Sequence, residues 1–226
     1  MSSVVRVEYP DLSTEAQPNE VTLTGDPLRV SVRQDQKSII EVEAGDSGVT
    51  IEGSPFDDSI IGGDGEDTIV GGAGNDTIIG GGAIDSISGG DGNDVLEIGS
   101  GDSVSGGAGE DTIRLDLSLA LDSNNLPSIS DFEQGQDVIT VTNADNNAEG
   151  LVYDRDTGVL LLGDTAVVQV SDELTLSASD INLDGNDAPI SLIDSNETTV
   201  YQFYILLKKF ISTPSVKLRN PLLRKT

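Results

Sequence analysis

Residues Gly53 to Arg114 divide into seven consecutive units of one pattern: GSPFDDSII (53–61), GGDGEDTIV (62–70), GGAGNDTII (71–79), GGGAIDSIS (80–88), GGDGNDVLE (89–97), IGSGDSVS (98–105) and GGAGEDTIR (106–114). All have nine residues except unit 98–105, which has eight. A repeat with so short and constant a period predicts a solenoid, in which each unit is one structural element that stacks on its neighbours.

The eighth position of every unit is aliphatic, whereas the positions on either side of it are mostly small or polar. Alternation of this kind predicts a short β-strand that buries one side chain. The eighth-position residues are Ile60, Ile69, Ile78, Ile87, Leu96, Val104 and Ile113.

The first six positions of a unit predict a tight turn, because glycines at positions one, two and four suit backbone conformations that other residues adopt only at a cost. Such a turn exposes carbonyl oxygens, and the aspartate at position six adds a carboxylate. Oxygen ligands of both kinds are the ones Ca²⁺ takes in proteins. A single copy would be a solvated loop or a flexible linker, but seven copies in register favour a row of metal sites. The position-six residues are Asp58, Asp67, Asp76, Asp85, Asp94, Asp102 and Asp111.

Two units are expected to form one full coil, so that alternate units stack on opposite edges of a flattened solenoid. One edge, which we call the odd edge, carries Asp58, Asp76, Asp94 and Asp111. The even edge carries Asp67, Asp85 and Asp102. The odd edge is the better preserved, because the even edge has Ala83 and Ile84 in one turn and lacks a residue before Asp102. The best metal sites are therefore predicted between turns 71–76 and 89–94, and between turns 89–94 and 106–111.

These units resemble the RTX, or haemolysin-type calcium-binding, repeats. The resemblance implies an all-β fold, a parallel β-roll (a right-handed solenoid of nonapeptide repeats), with Ca²⁺ held between successive turns of one edge. It implies that Asp76 and Asp94 share an ion and that Asp94 and Asp111 share another, with Asp58, Asp67 and Asp85 as further ligands. It also implies main-chain carbonyl ligands, for which the candidates are Gly71, Ala73, Asn75, Gly90 and Gly92.

The charge of the chain agrees with a cation-binding role. Residues 1–197 hold all 40 acidic residues but only half of the 12 basic ones. Two carboxylates stacked about 5 Å apart repel by roughly 3 kcal/mol at an effective dielectric constant near 20. We therefore expect the repeats to fold only when Ca²⁺ is bound. The same acidic charge opposes binding to nucleic acid.

Four segments are expected along the chain. Residues 1–37 form an N-terminal segment, partly extended or disordered. Residues 38–114 form the calcium-binding roll, which begins with an incomplete coil that places Ile51 at an eighth position. Residues 115–183 form a β-rich cap with a hairpin near Gly158, and they resemble the segment that closes RTX repeat domains. Residues 184–226 form a linker and a basic tail, expected to be disordered.

Two further motifs have competing interpretations. Asp180, Asn182, Asp184 and Gly185 match the start of an EF-hand loop, but Ser191 replaces its bidentate glutamate, and an interdomain linker is favoured instead. The tail from Thr198 is basic and aromatic, as in a segment that contacts anionic membranes, although a disordered end or a shifted reading frame is favoured.

The residue content argues against an enzyme. The chain has no histidine and no cysteine, which excludes histidine-containing zinc sites, serine–histidine triads and cysteine nucleophiles. No apolar run near the N-terminus is long enough for a secretory signal, which is compatible with the type I export typical of RTX proteins. The chain is expected to be a secreted, non-enzymatic calcium-binding module of bacterial origin. The alternative is a structural or adhesive fragment of a larger surface protein with a cell-surface or polysaccharide ligand.

Overall fold

The fold is all-β in the part of the chain that the structure, a computed structural model, describes: residues 4–8, 19–21, 28–31, 39–43, 48–117, 125–142, 151–154, 157–162, 165–170 and 176–183. The strands are β1 (Val4–Glu8), β2 (Asn19–Val21), β3 (Leu28–Ser31), β4 (Ile39–Glu43), β5 (Val49–Glu52), β6 (Ser59–Gly63), β7 (Thr68–Ala73), β8 (Thr77–Gly81), β9 (Ser86–Asp91), β10 (Val95–Ile98), β11 (Ser103–Ala108), β12 (Thr112–Asp116), β13 (Ser128–Ile129), β14 (Val138–Thr142), β15 (Leu151–Asp154), β16 (Val159–Leu162), β17 (Thr165–Gln169) and β18 (Ile181–Leu183). One short 3₁₀ turn, Ala178–Asp180, precedes β18.

The strands form two sheets of nine, and consecutive repeat units alternate between them. The first sheet has the order β18-β14-β12-β10-β8-β6-β4-β1-β2, and the second has the order β15-β16-β17-β13-β11-β9-β7-β5-β3. From β4 to β14 and β18 in the first sheet, and from β3 to β13 in the second, neighbouring strands are parallel. The prediction of a parallel β-roll with two units per coil is therefore confirmed.

The eighth-position side chains form the core between the two sheets. In the first sheet Ile60, Ile78, Leu96 and Ile113 stand in register on adjacent strands, and in the second sheet Ile69, Ile87 and Val104 do the same. All are buried. Ile51 extends the second row by one coil, as the sequence predicted, because it pairs with Ile69 and is fully buried.

The roll continues past the last nonapeptide. Strand β14 pairs in parallel with β12, and β18 pairs in parallel with β14, so that Ile139 and Ile181 lengthen the core row of the first sheet. In the second sheet β13 adds two residues, and β17, β16 and β15 follow, the last two pairings being antiparallel. The β15–β16 pair, with Asp154 opposite Val159 and Gly158 at φ 68°, is the predicted hairpin.

The N-terminal strands add to both sheets. Strand β1 pairs antiparallel with β2 and with β4, and β3 pairs in parallel with β5. The division of the chain at residues 38 and 115 stays a prediction, since hydrogen-bonded strands lie on both sides of each boundary. The predicted linker and tail, 184–226, lie outside the described residues. Among the described residues, no helix is long and apolar enough to cross a membrane.

Candidate metal centre

The position-six aspartates stand in two columns, one on each edge of the roll. Each precedes the strand of its unit, so the stacking of the strands also stacks the carboxylates. Asp58, Asp76, Asp94 and Asp111 lead into the first sheet, and Asp67, Asp85 and Asp102 lead into the second. All seven are buried. Burying a carboxylate is costly unless it is hydrogen-bonded or bound to a cation, so the partners of each oxygen decide what the columns can do.

One oxygen of each carboxylate is used inside the protein. In five copies Oδ1 accepts a hydrogen bond from the main-chain N–H of the aspartate one coil earlier, as in Asp58 N–H to Asp76 (2.7 Å) and Asp76 N–H to Asp94 (2.7 Å). Asp67 Oδ1 accepts instead from Val49 N–H at 2.8 Å. The same bond joins Asp94 to Asp111 (2.9 Å), Asp67 to Asp85 (2.8 Å) and Asp85 to Asp102 (2.9 Å). The carboxylates therefore fix the turns of successive coils against one another.

The other oxygen, Oδ2, has no hydrogen-bond partner in five of the seven copies. These are Asp67, Asp76, Asp85, Asp94 and Asp111. They belong to the five units that begin with two glycines, the second of which has a positive φ. In the other two units the oxygen is satisfied internally, because Ser54 N–H donates to Asp58 at 2.6 Å and Gly99 N–H donates to Asp102 at 2.6 Å. Intact units thus present an unpartnered buried oxygen, and degenerate units do not.

Main-chain carbonyls of the next coil lie near three of these oxygens, those of Asp67, Asp76 and Asp94. A Cβ added to Gly71 would collide with Oδ2 of Asp76 and, at 2.6 Å, with the carbonyl oxygen of Gly89. A Cβ at Gly89 would collide in the same way with Oδ2 of Asp94 and, at 2.5 Å, with the Gly106 carbonyl oxygen. Position one must be glycine in these two units because two oxygens occupy the space of its side chain. Two oxygens that border the same space, one of them a carboxylate oxygen without a hydrogen bond, are an arrangement that a hard cation stabilises.

Burial also raises the pKa of these aspartates. Desolvation raises the pKa of Asp76 and Asp85 to about 7 and that of Asp67 and Asp111 to about 6, although main-chain hydrogen bonds act in the opposite direction. The pKa of Asp94 is raised by the same cause. The charged form is therefore disfavoured in the protein alone, and a bound cation would restore it.

The ligand role of the carbonyl groups named from the sequence stays a prediction. Gly90 and Gly92 direct their carbonyl oxygens at the next coil, where they block a Cβ at Gly107 and Gly109. The carbonyls that share a glycine's side-chain space with an unpartnered Oδ2 belong to Gly80, Gly89 and Gly106, which the sequence did not single out. Gly71 has the same relation to Asp58.

The carbonyl of Asn75 stays a predicted ligand. The side chain of Asn75 joins two coils, because its Oδ1 accepts a hydrogen bond from Asn93 N–H at 2.8 Å. That contact belongs to a second ladder on the exposed rim of the odd edge, in which Asp57 accepts from Asn75 N–H at 2.7 Å and Asn93 accepts from Glu110 N–H at 3.0 Å. For the carbonyl of Ala73 the role as ligand stays a prediction.

One member of the odd column was missed from the sequence. Asp137 lies outside the nonapeptides, yet its Oδ1 accepts from Asp111 N–H at 3.0 Å, and its Oδ2 accepts from Glu133 N–H at 2.7 Å. The available signal was the spacing in Asp137-Val138-Ile139, where an aspartate stands two residues before a core aliphatic residue, as in every repeat unit.

The even edge shows local strain where the sequence departs from the pattern. Ala83 takes the place of the position-four glycine and has φ 65°, the one positive φ of a non-glycine residue in the described ranges. The neighbouring Ile84 is 47% exposed. Asp85 of the same turn still has an unpartnered Oδ2, so this turn keeps its free oxygen at a conformational cost.

The EF-hand alternative has little support in the geometry. Asp180 and Asn182 lie in the 3₁₀ turn and in β18, not in an open loop. Both carboxylate oxygens of Asp180 already accept main-chain hydrogen bonds, from Gly135 N–H at 3.1 Å and from Ser177 N–H at 2.6 Å. Asp184 and Gly185 lie outside the described residues.

Where the structure describes the chain, no three acidic, histidine or cysteine side chains converge closely enough to hold a metal ion by themselves. An ion in either column would therefore take main-chain oxygens beside one or two carboxylates. The unpartnered Oδ2 atoms with glycine carbonyls next to them supply such a mixed set, and it fits the oxygen preference and the flexible coordination of Ca²⁺.

Comparison with known families agrees with this geometry. The family described as the RTX calcium-binding nonapeptide repeat, in four copies, matches residues 45–78, 70–104 and 101–117. The matched stretch contains every coil with an unpartnered aspartate oxygen in the described part of the chain. No curated protein matches the chain.

Proposed function

Because residues 45–117 are RTX calcium-binding nonapeptide repeats, whose ion is Ca²⁺, we propose that the chain is an extracellular calcium-binding module whose roll folds when Ca²⁺ binds. The observation that carries this proposal is the set of five buried, unpartnered Oδ2 atoms. They occur in the five units with paired glycines and in neither degenerate unit, so they follow the repeat pattern and not the general acidity of the chain.

The odd edge would hold its ions in two gaps between coils. In the first gap Asp76 Oδ2 and the Gly89 carbonyl oxygen border the space beside Gly71. In the second gap Asp94 Oδ2 and the Gly106 carbonyl oxygen border the space beside Gly89. Oδ1 of the next aspartate reaches into each gap, where it accepts the main-chain N–H of the preceding aspartate. On the even edge Asp67 Oδ2 lies beside the Gly80 carbonyl in the same way. Asp58 is a weaker ligand candidate, since Ser54 N–H already occupies its Oδ2.

Folding would depend on the ion because the free energy of the roll includes several buried carboxylates that repel one another. Each unit buries one aliphatic side chain at position eight, and only unit 98–105 adds a second, Ile98, which limits the compensating hydrophobic contribution. Metal binding to such a site contributes directly to the free energy of folding. The expected behaviour is a cooperative gain of β-structure as Ca²⁺ is added.

Circular dichroism during a Ca²⁺ titration tests this. The wild-type chain is compared with a variant that carries Asp76→Ala, Asp94→Ala and Asp111→Ala. The matched control carries Asp64→Ala, Asp91→Ala and Glu110→Ala, which removes three exposed acidic groups from the same repeat region. We expect the control to gain β-structure as the wild type does and the first variant to respond only at much higher Ca²⁺. A wild-type spectrum that is equally β-rich in chelator and in Ca²⁺ would refute calcium-dependent folding.

The extracellular location is part of the proposal. It is supported by the repeat family, which is typical of secreted proteins. Export through a type I system is proposed on the same ground, and the absence of catalytic activity is proposed because the sequence has no histidine and no cysteine. Deletion of residues 198–226, followed by secretion and liposome-binding assays, tests the tail, and unchanged results in both would exclude it from export and from membrane contact.

A second role, adhesion, is favoured by one observation on the outer face of the first sheet. A groove of about 530 Å³ crosses four strands there, lined by polar residues that include Glu97, Arg114, Thr140 and Asn182. Arg114 is the only basic residue between positions 38 and 154. The lining offers both donors and acceptors, and its charged groups are two acidic residues, Glu97 and Asp116, and one basic residue, Arg114. Such a surface suits a neutral polysaccharide. Binding of the calcium-loaded chain to neutral glucans, lost in Arg114→Ala, would support adhesion, and no binding to any would leave the plain calcium module.

A further inference from the structure

The residues at position five of the odd units form a ladder of their own, outside the column of buried aspartates. Asp57 Oδ1 accepts from Asn75 N–H at 2.7 Å, and Asn75 Oδ1 accepts from Asn93 N–H at 2.8 Å. Asn93 Oδ1 in turn accepts from Glu110 N–H at 3.0 Å. All four residues are exposed, and we call the set the rim ladder. It places one hydrogen bond at every interface between odd turns, and none of these bonds needs an ion.

The rim ladder runs in the direction opposite to the bonds of the buried column. Between turns 71–76 and 89–94, Asn93 N–H of the later turn donates to Asn75 of the earlier turn. At the same interface Asp76 N–H of the earlier turn donates to Asp94 of the later turn. Adjacent odd turns are therefore joined by a reciprocal pair of hydrogen bonds.

Together the two ladders fix the main chain at position five. Both peptide groups that flank the Cα of Asn75 are held through their N–H, that of Asn75 by Asp57 and that of Asp76 by Asp94. In a planar trans peptide the C=O points away from the N–H, so the carbonyl directions of Gly74 and Asn75 are fixed as well. The Asn75 carbonyl is one of the predicted Ca²⁺ ligands, and the rim ladder thus orients a ligand from outside the site.

Position four leaves room for the rim ladder. A Cβ at Gly92 would stand 3.2 Å from Asn75 Oδ1, and a Cβ at Gly109 would stand 2.9 Å from Asn93 Oδ1. Both glycines have a positive φ, which other residues adopt only at a cost. The acceptor oxygens of the rim therefore fit into space that glycine leaves open in the next turn.

The even edge has no counterpart to the rim ladder within the described ranges. Its position-five residues include Glu66 and Ile84, and the aliphatic side chain of Ile84 offers no acceptor. The buried bonds from Asp67 N–H to Asp85 and from Asp85 N–H to Asp102 remain. The two edges thus stack their aspartates in the same way and differ in the rim.

We propose that Asn75 and Asn93 are positioning residues for calcium. Their side chains orient the odd turns in advance, so the odd edge takes up Ca²⁺ at a lower concentration than the even edge. A ligand group that is already fixed loses less conformational freedom when it binds. An exposed hydrogen bond adds only modestly to stability, and its effect here is on orientation. The inference rests on the proposed calcium binding of the roll, and the experiments separate the two.

Hydrogen–deuterium exchange of the full chain across a Ca²⁺ titration resolves the two edges. The readout is the Ca²⁺ concentration that gives half of the final protection, measured for odd turns 71–76 and 89–94 and for even turn 80–85. In the wild type we expect the odd turns to be protected at about fivefold lower Ca²⁺. Equal midpoints would overturn the positioning role and leave calcium binding intact. No calcium-dependent protection at either edge would refute both proposals.

Loss of the acceptors should abolish the difference between the edges. The double variant Asn75→Ala, Asn93→Ala removes two acceptors of the rim ladder, whereas Asn75→Asp, Asn93→Asp keeps an oxygen at each place. We expect the ratio of the two midpoints to approach one in the alanine variant and to persist in the aspartate variant. General destabilisation or added charge shifts both edges, so the ratio isolates the rim. An unchanged ratio in the alanine variant would overturn the proposal.

A rim bond can also be added to the even edge, which keeps the test decisive if the alanine variant does not fold. Glu66 stands eighteen residues before Ile84, as Asn75 stands before Asn93. Glu66→Asn supplies a short acceptor for Ile84 N–H, and Glu66→Ala is the matched control, which loses the same charge without gaining the acceptor. We expect turn 80–85 to be protected at lower Ca²⁺ in Glu66→Asn than in Glu66→Ala. Equal midpoints in the two variants would overturn the positioning role of position five.

Discussion

The main-chain N–H of Asp76 donates a 2.7 Å hydrogen bond to Oδ1 of Asp94, eighteen residues further along the chain. This contact lets one side chain do two things. One oxygen of Asp94 joins two coils, while the other remains unpartnered and faces the Gly106 carbonyl. Oδ1 therefore holds the coils together, while Oδ2 remains available to an ion. A substitution can change one of these functions without the other.

Asp94→Asn should raise the stability of the calcium-free roll and reduce its response to calcium. The side-chain oxygen can still accept from Asp76 N–H, while the new NH₂ group takes the place of Oδ2 and can donate to the Gly106 carbonyl. An oxygen–oxygen contact then becomes a hydrogen bond, worth roughly 1 kcal/mol. Circular dichroism should show more β-structure than the wild type has without Ca²⁺ and a smaller gain when Ca²⁺ is added.

Asp102→Asn is the matched substitution with the opposite expected sign. Both oxygens of Asp102 accept main-chain hydrogen bonds, from Asp85 N–H and Gly99 N–H. An amide keeps only one acceptor, so one buried N–H loses its partner at a cost of roughly 1–3 kcal/mol. The unfolding midpoint in saturating Ca²⁺ should fall, and no β-structure should be gained without Ca²⁺. If Asp94→Asn gains no more calcium-free β-structure than Asp102→Asn does, the distinction between free and satisfied Oδ2 atoms is wrong.

Gly89→Ala should prevent calcium from being held between turns 89–94 and 106–111. The added Cβ would occupy the space of Asp94 Oδ2 and of the Gly106 carbonyl oxygen. Gly82→Ala is the control, since its Cβ would meet nothing closer than 3.4 Å and its φ is not positive. We expect a large rise in the Ca²⁺ midpoint of folding for Gly89→Ala and little change for Gly82→Ala. Equal midpoints would remove the steric explanation of position one.

Acidification should favour the calcium-free roll. Burial raises the pKa of Asp76 and Asp85 to about 7 in the folded chain, compared with 3.8 for an unperturbed aspartate. A raised folded pKa means that the folded state binds protons more tightly, so stability grows as the pH falls from about 7 towards 4 and is lost as it rises again. Circular dichroism in calcium-free buffer between pH 8 and pH 5 should show increasing β-structure.

The control for this pH effect is the double variant Asp76→Asn, Asp85→Asn. General relief of charge repulsion would also favour compact states at low pH, and this contribution persists in the variant. A pH dependence as steep as that of the wild type would show that the two buried aspartates are not its source.

Much of the fold could be predicted because the repeat constrains it at every unit. The eighth-position aliphatic residues mark the core, and the two-unit period determines which aspartates stack. The extension by β14 and β18 could not be read as clearly, since the spacing from Ile113 to Ile139 and then to Ile181 is long and irregular. Only the aspartate two residues before Ile139 keeps the repeat pattern there.

The candidate site was predicted at the level of residues but not of atoms. The sequence shows that Asp58 and Asp76 hold equivalent positions, yet their Oδ2 atoms differ, because Ser54 donates its N–H where Gly72 does not. Whether Oδ2 is partnered therefore depends on the direction of one main-chain N–H group, that of the residue at position two of the unit. The side chain of Asp131 accepts hydrogen bonds from Gly106 N–H and Gly107 N–H. No sequence signal predicts these bonds, since they arise where the segment after the last repeat crosses the two glycines.

Ala83→Gly should stabilise the even edge. Ala83 has φ 65°, a left-handed conformation that costs a residue with a Cβ roughly 1–2 kcal/mol. Glycine removes this strain but makes the unfolded chain more flexible, which costs about 0.4–1 kcal/mol. The midpoints of the two ranges differ by about 0.8 kcal/mol, which corresponds to a rise of about 2–3 °C in Tm for a chain of this size. Ala73→Gly is the control, since Ala73 does not have a positive φ and only the entropic cost applies. Calorimetry in saturating Ca²⁺ should show a higher Tm for Ala83→Gly and a lower one for Ala73→Gly, and a decrease in both would mean that the position-four strain is relieved in solution.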